Sequence, residues 1–311
     1  MLHLRVVCAT DRTERVVALL EGDDATTNLV VLPGAARRPP GDVILCDVAR
    51  EDASLILADL RRLGVTEDGS IALENVELAE SHDARRAILA APGEQADAVV
   101  WETVEARTAE DARLSWSYLA FMALAAAIAI SGLLTDNAIL LVGAVVVSPD
   151  FGPLAGLCVG LTQRRSRLVR DALVATVVGL LVTVGVATVV AEAVSALGLV
   201  PDAFDFDVGF SSIISNPDVF TAIVALAAGA AGMLSLLTAK SGALVGVLIS
   251  VTTIPASAQV ALAVSFREWD SAGGAAIQLV SNVVLVVLAG TATLVVQRAA
   301  YRRRRRRHRG R

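Results

Sequence analysis

Residues 133–161 read LLTDNAILLVGAVVVSPDFGPLAGLCVGL, and two signals in that stretch decide how the whole chain is read. The first is an apolar run of membrane-crossing length, interrupted midway by Ser148-Pro149-Asp150-Phe151-Gly152-Pro153. A helix needs roughly 20 apolar residues to cross the hydrocarbon, and prolines inside it remove backbone donors partway. The second signal is a repeat. Leu133–Gly143, LLTDNAILLVG, returns as LLTAKSGALVG at Leu236–Gly246, and that copy runs into its own polar break, Thr252-Thr253-Ile254-Pro255. A duplicated membrane unit is expected. If each unit holds three spans, the second is inverted relative to the first, an architecture shared by many secondary transporters.

Working outward, the composition agrees with a membrane domain that carries a polar appendage. Hydrophobic residues make up 55% of the 311 residues, yet the first 113 residues hold 22 carboxylates against 12 arginines. Such segregation fits a small soluble domain ahead of a membrane domain of about 190 residues. Cys8, Cys46 and Cys158 match neither a disulfide framework nor a zinc spacing, and they read as packing residues. The start, MLHLRVVCATDRTERV, lacks the pattern of a secretory signal, so the first domain is expected in the cytoplasm.

That first domain, residues 1–80, alternates short strands and helices. Leu2 to Cys8 is strand-like, and Asp11 with Glu14 has capping-box spacing before a helix to about Glu21. Asn28 to Leu32 and Val43 to Val48 are apolar strands around the turn-rich Pro33 to Gly41. A helix from Glu51 to Leu63 stops at Gly64, and Ser70 to Val76 supplies a fourth strand. The order βαββαβ predicts a ferredoxin-like domain with a regulatory or assembly role. No Gly-rich phosphate loop, His/Cys cluster or nucleophile motif accompanies it. Residues 81–113 read as an acidic, amphipathic linker helix.

Six spans are expected over residues 114–300, near Trp116–Leu133, Ala138–Leu161, Leu168–Leu197, Val219–Leu237, Ala243–Val264 and Ala275–Val296. Trp116, Tyr118, Trp269 and Tyr301 fall near span ends, where amphipathic rings favour the headgroup layer. Arg164, Arg165, Arg167 and Arg170, then Lys240, then the polybasic tail Arg302, Arg303, Arg304, Arg305, Arg306 and Arg307 mark cytoplasmic segments. The loop from Gly198 to Asp218 carries Asp202, Asp205, Asp207 and Asp218 without a basic residue and is expected outside. Both termini are then cytoplasmic in a bacterial inner membrane. The arginine tail reads as a topology signal and a contact for anionic headgroups, not as a nucleic-acid site.

Under this arrangement the prolines converge. Pro149, Pro153 and Pro255 are expected to break the second and fifth spans near the midplane, exposing backbone groups that are tolerated where they line a cavity. Around them gather Ser148, Asp150, Gly152, Ser250, Thr252, Thr253, Ser257 and Gln259, an oxygen-rich set suited to an ion or small solute. Asp150 is the sharpest of these, because an ionised carboxylate in hydrocarbon is costly unless paired or hydrated. It has two readings: a cavity carboxylate, or a cap for the helix restarting at Phe151. Asp136 and Asn137 read as caps of the second span, Glu192 as a snorkelling end residue, and Gln278 with Asn282 as helix glue. Small residues at Ala225, Gly229 and Gly232 permit close helix packing within one protomer or between several.

The run ILLVGAVVVSPDFGPLAGLCVGL at Ile139–Leu161, GALVGVLISVTTIPAS at Gly242–Ser257 and the small domain ahead of them resemble the domain of unknown function family 389, uncharacterised bacterial proteins with a hydrophobic domain. The Gly-Ala-x-x-x-Ser-Pro signature from Gly143 to Pro149 carries much of that likeness. Ile254-Pro255-Ala256 has one proline where relatives carry two. The resemblance implies no activity, cofactor or metal. Function rests on the residues: a transporter or channel for an ion or small solute, or alternatively a non-transporting receptor or oligomeric scaffold with a cytoplasmic sensor domain. An enzyme is not expected, since the spans hold no histidine and Asp150 has no second carboxylate for a dyad.

The arginine pattern makes topology testable. Single cysteines placed at Asp205 and Arg167 in a cysteine-free background should react with impermeant reagents from opposite faces. Labelling of both from one face refutes the six-span inverted arrangement.

Overall fold

The computed structural model describes residues 1–76, 81–90, 101–237 and 243–308; at 243–252 and 301–308, and at Ala90, Glu102 and Arg107, it describes backbone alone. The chain divides into two compact units, one built on Met1–Val104 and one beginning at Glu105.

The first unit runs β1 (Leu2–Cys8), α1 (Thr13–Glu21), β2 (Thr26–Arg37), β3 (Pro40–Val48), α2 (Ala53–Arg62), α3 (Val65–Asp68) and β4 (Ser70–Asn75). The sheet order is β2-β3-β1-β4 with antiparallel neighbours throughout, the split βαβ topology expected from the element order. Period-two alternation buries Leu2, Leu4, Val6 and Cys8 on one face of β1, and Val16 and Leu20 of α1 with Ile56, Leu57 and Leu60 of α2 join the same core. Cys8 and Cys46 lie in that core as free thiols.

Two local expectations change. Asp11 and Glu14 form no capping box: Asp11 sits in a 3-10 turn, and α1 starts behind Arg12 with no side-chain cap. The segment Pro33 to Gly41 is largely strand rather than turn, because β2 is an edge strand, where the donor that Pro33 lacks is not needed by the ladder. Gly64 behaves as expected, following α2 at φ +75. Asp42, on β3, accepts hydrogen bonds from Thr13 Oγ1 at 2.6 Å, Gly34 N at 2.7 Å and Thr10 Oγ1 at 3.3 Å. These donors hold its carboxyl below the usual carboxylate range, the Thr13 hydroxyl having the largest effect. The expected linker helix is two described pieces, α4 (His82–Ala90), which lies against β2, and α5 (Trp101–Asp111); residues 91–100 fall outside the described set.

The second unit continues with α6 (Trp116–Leu134), α7 (Ala138–Val147), α8 (Phe151–Gln163), α9 (Ser166–Ala196), α10 (Gly209–Ser215), α11 (Val219–Leu237), α12 (Ala243–Phe266) and α13 (Trp269–His308). Four of these, α6, α9, α11 and the Trp269–Ala300 part of α13, are long and apolar enough to cross a membrane, and α7 with α8 makes a fifth if that pair, bent by 54°, is one span. Exposed Leu, Val, Ile and Phe side chains along α9, α11 and α13 supply the apolar surface a bilayer would cover. This is the build of a multi-pass membrane domain.

α12 occupies the opposite environment. Thr253 through Gln259 are all buried, as are Ala261, Leu262 and Ala263, and α6, α7, α8, α9, α10 and α13 all contact this helix. Ala256, Ser257, Ala258, Ala261 and Ala263 are small enough to let backbones approach. The expected break at Pro255 does not occur, since α12 continues as helix through it. Trp116 and Trp269 head α6 and α13 and are exposed, as interfacial rings should be, whereas Tyr118 is only 6% exposed and donates its hydroxyl to Ala175 O at 3.0 Å. Beyond Ala300, α13 runs on through the arginine tail as backbone helix, and the side chains of Arg302 to Arg307 lie outside the described set.

Asp42 gives the first unit a pH signature. Its folded carboxyl titrates below its unfolded value, so its stabilisation is complete above the ordinary carboxylate range and is lost as pH falls through the lowered folded value. Residues 1–104 expressed alone should therefore lose part of their stability at the acid end of a denaturant-midpoint series, and Asp42→Asn should flatten that limb. An unchanged acid limb in the variant refutes the role.

Candidate functional site

The break between α7 and α8 follows from its sequence. Ser148 precedes Pro149 and is held at φ −70, ψ 130, outside the helical region, as the proline ring requires. Its amide still closes α7 on Ala144 O at 3.1 Å. Asp150 then opens α8 from the N-cap position, and Pro153 falls in the first turn, where a missing amide costs nothing. Two prolines four apart thus end one helix and begin the next.

The side chain of Asp150 does not cap α8. Only 4% exposed, its Oδ2 accepts the hydroxyl of Thr253, itself 1% exposed on α12. Ser257, one turn further along α12, donates its hydroxyl to Thr253 O at 2.8 Å. A carboxylate removed from water needs such donors, because burial without them penalises its charge heavily. Asp150 and Thr253 are therefore brought together as expected, while Ser257 bonds back along its own helix.

The remaining expected site residues disperse. Ser148 turns its hydroxyl to Met122 Sδ at 3.5 Å on α6. Gly152 is a packing contact, since a Cβ there would stand 2.9 Å from the Cβ of Asp111 at the end of α5. Gln259 is two residues past Ser257, hence on another face of α12. Its Nε2 donates to Ser211 Oγ at 2.6 Å and Ser215 Oγ at 3.1 Å on α10, and its Oε1 has no hydrogen-bond partner among the described residues. Thr252 and Ser250 have side chains outside the described set. Pro149 and Pro153 form the break, and Pro255 lies within α12.

A cavity of about 380 Å³ opens beside the break, with Pro149, Phe151 and Gly152 on one side and Glu110, Asp111, Arg113 and Ser115 on the other. Asp150 itself is not on its wall. Among the described residues, no group of three or more His, Cys, Asp and Glu side chains could hold a metal ion.

Sequence reasoning missed several parts of this region. The segment expected as a loop holds α10; Asp136 accepts Phe210 N at 2.9 Å at its start, while Asn137 caps α7, through Ile139 N at 2.9 Å and Leu140 N at 3.3 Å. Gly152, Gly156 and Gly160 form a stripe along α8 whose absent Cβ atoms admit Asp111, Ala112 and Val169 respectively. Their spacing of four was the available signal. Glu192 is exposed near the end of α9, as a snorkelling residue should be.

The family model described as a domain of unknown function (DUF389) matches residues 145–288, which contain the break, Asp150 and all of the described site residues of α12. No curated protein and no solved structure matches the chain.

The Asp150–Thr253 bond can be weighed by thermal unfolding of the detergent-solubilised chain. Thr253→Val should cost about 1–3 kcal/mol by removing a donor to a buried carboxylate. Asp150→Asn, which keeps an acceptor oxygen and drops the charge, should unfold close to wild type. A silent Thr253→Val variant means the bond carries no stability.

Proposed function

We propose that this chain, a membrane protein bearing a DUF389 domain at residues 145–288, is a bacterial inner-membrane transporter or channel for an ion or small solute, with Asp150 at its working site. The observation that carries the reading is a buried carboxylate at a helix break, bonded across the bundle to Thr253. Intramembrane carboxylates mark ion and proton pathways more often than they serve packing alone. The cavity on the other side of Pro149 and Phe151 gives a short route by which solvent could reach the break. A turn of the bond between Asp150 and Thr253 would join the two.

A six-span, inverted-repeat arrangement accompanies this reading. The 24 residues of α12 extend ~36 Å, enough for a sixth crossing. The helices that begin within the two LLT-x5-LVG copies, α7 and α12, pack against each other, in keeping with equivalent elements of inverted repeats around a central site. Even crossing number then returns both termini to the arginine-rich, cytoplasmic side. The first unit serves as a regulatory or assembly domain, no catalytic role is assigned, and assembly as a homo-oligomer is in keeping with the small-residue helix faces.

A second reading, a receptor or scaffold without transport, is favoured by the burial of Asp150 and by the tight contact of Gly152 with Asp111. Flux separates the two. Proteoliposomes holding wild-type chain should pass at least one species in a panel of protons, Na⁺, K⁺ and Cl⁻. Asp150→Asn should abolish that flux or its pH dependence while thermal stability stays close to wild type. Full flux in the Asn variant removes the charge-dependent mechanism, and absence of flux in wild type across the panel favours the scaffold.

A further inference from the structure

The connection between α8 and α9 builds a second site, away from Asp150. α8 ends with Arg165 N donating to Gly160 O at 2.9 Å and Arg164 N to Leu161 O at 3.3 Å, the bonding of a Schellman stop. The left-handed position of that stop is Arg164, at φ +58. Glycine suits this conformation and a residue with a Cβ does not, so an arginine stands here against backbone preference. The end of α8 does not need it as a cap: Arg298 reaches in from α13 and donates to Thr162 O at 2.7 Å.

α9 then starts at once behind Arg165, with no side chain capping its first amides. Ser166, Arg167 and Leu168 of that first turn, with Arg164 and Arg165 before it, line a cleft of about 890 Å³ whose other wall carries Glu105, Glu110 and Arg113. The charges do not cancel. The lining carries Arg113, Arg164, Arg165 and Arg167 against Glu105, Glu110 and Asp171; Arg165 pairs with Glu105, Asp171 is taken by Arg170 beside the lining, and Arg113, Arg164 and Arg167 form no ion pair among the described residues. A fixed positive surplus, a 31-residue helix dipole and uncapped amides converge on one concave space.

We propose that this cleft binds a phosphate group, carried by the headgroup of an acidic phospholipid. Guanidinium groups and helix amides are matched to phosphate oxygens by geometry and charge. The cleft is far larger than a lone phosphate requires and suits a glycerophosphate headgroup. Within three turns beyond Leu168, α9 exposes Leu173, Val174 and Val177, an apolar flank on which acyl chains can lie. The proposal rests on the membrane placement of these helices and is independent of any transport through the break.

The test uses the full chain in neutral detergent, with lipid binding followed by native mass spectrometry and by thermal midpoint. Phosphatidylglycerol should bind and raise the midpoint, phosphatidylcholine should do neither, and inorganic phosphate should compete only weakly. Arg164→Gly relieves the left-handed backbone, so its lipid-free midpoint should equal or exceed wild type while phosphatidylglycerol binds about fivefold more weakly. Arg167→Gln should act similarly, and replacing Arg302 to Arg307 together by glutamine should leave the cleft-dependent binding in place. Equal phosphatidylglycerol binding in wild type, Arg164→Gly and Arg167→Gln overturns the site. Stabilisation by inorganic phosphate alone, lost in the same variants, overturns the lipid and assigns the cleft to a soluble phosphate.

Discussion

The second unit is organised by one electrostatic requirement: a carboxylate has been carried into an apolar bundle and must find donors there. In low dielectric an isolated Asp150 anion is far more costly than at a surface. The Thr253 hydroxyl answers part of that demand, and in doing so it fixes the start of α8 against the middle of α12. α12 must therefore be interior, and the other helices are arranged around it. Its alanines and Ser257 make that enclosure possible by letting neighbouring backbones close in. Thus one polar contact and a run of small side chains hold α12 inside, with apolar faces of α9, α11 and α13 left exposed.

The contrast between the two proline sites comes from their spacing. Pro149 forces its predecessor out of the helical region, and Pro153 is useful only to a helix that has just begun, so the pair specifies a stop and a restart. Pro255 is alone, and removes one donor from a helix that neighbours support on every side. Packing outweighs that loss, and α12 stays whole. The segments that run on from the two sequence copies therefore differ, α7 and α8 being broken at their prolines and α12 continuous through Pro255.

Much of the fold was legible because it depends on period and punctuation. Alternating residues in β1, Gly64 after α2 and the apolar runs of α6, α9, α11 and α13 are local signals, and local physics read them correctly. Of the site, Asp150 and Thr253 were legible as partners because a carboxylate in an apolar segment needs a donor and the polar run on α12 offers one, although that run is not a break. Ser148, Gly152 and Gln259 could not be placed, since the face each presents depends on α6, α5 and α10, partners distant in sequence. Tyr118 shows the same limit: its position near a helix end suggested the interface, and Gly179 on α9 opened an interior slot for its ring instead. α10 escaped notice because seven residues are too few to display a helical period.

Enclosure of α12 also alters what selection can accept along the chain. Outward positions such as Leu181 on α9 or Val280 on α13 are largely exposed, so exchanges among Leu, Ile, Val and Phe there are of small consequence for packing within the chain. Ala258 and Ala261 on α12 meet helices on all sides, and even one added methylene must displace a backbone. A saturation scan of this domain would invert the usual expectation for a membrane protein. The helices with the most exposed apolar side chains would be the freest to vary, and the buried helix, with its alanines and hydroxyl groups, would be the most constrained.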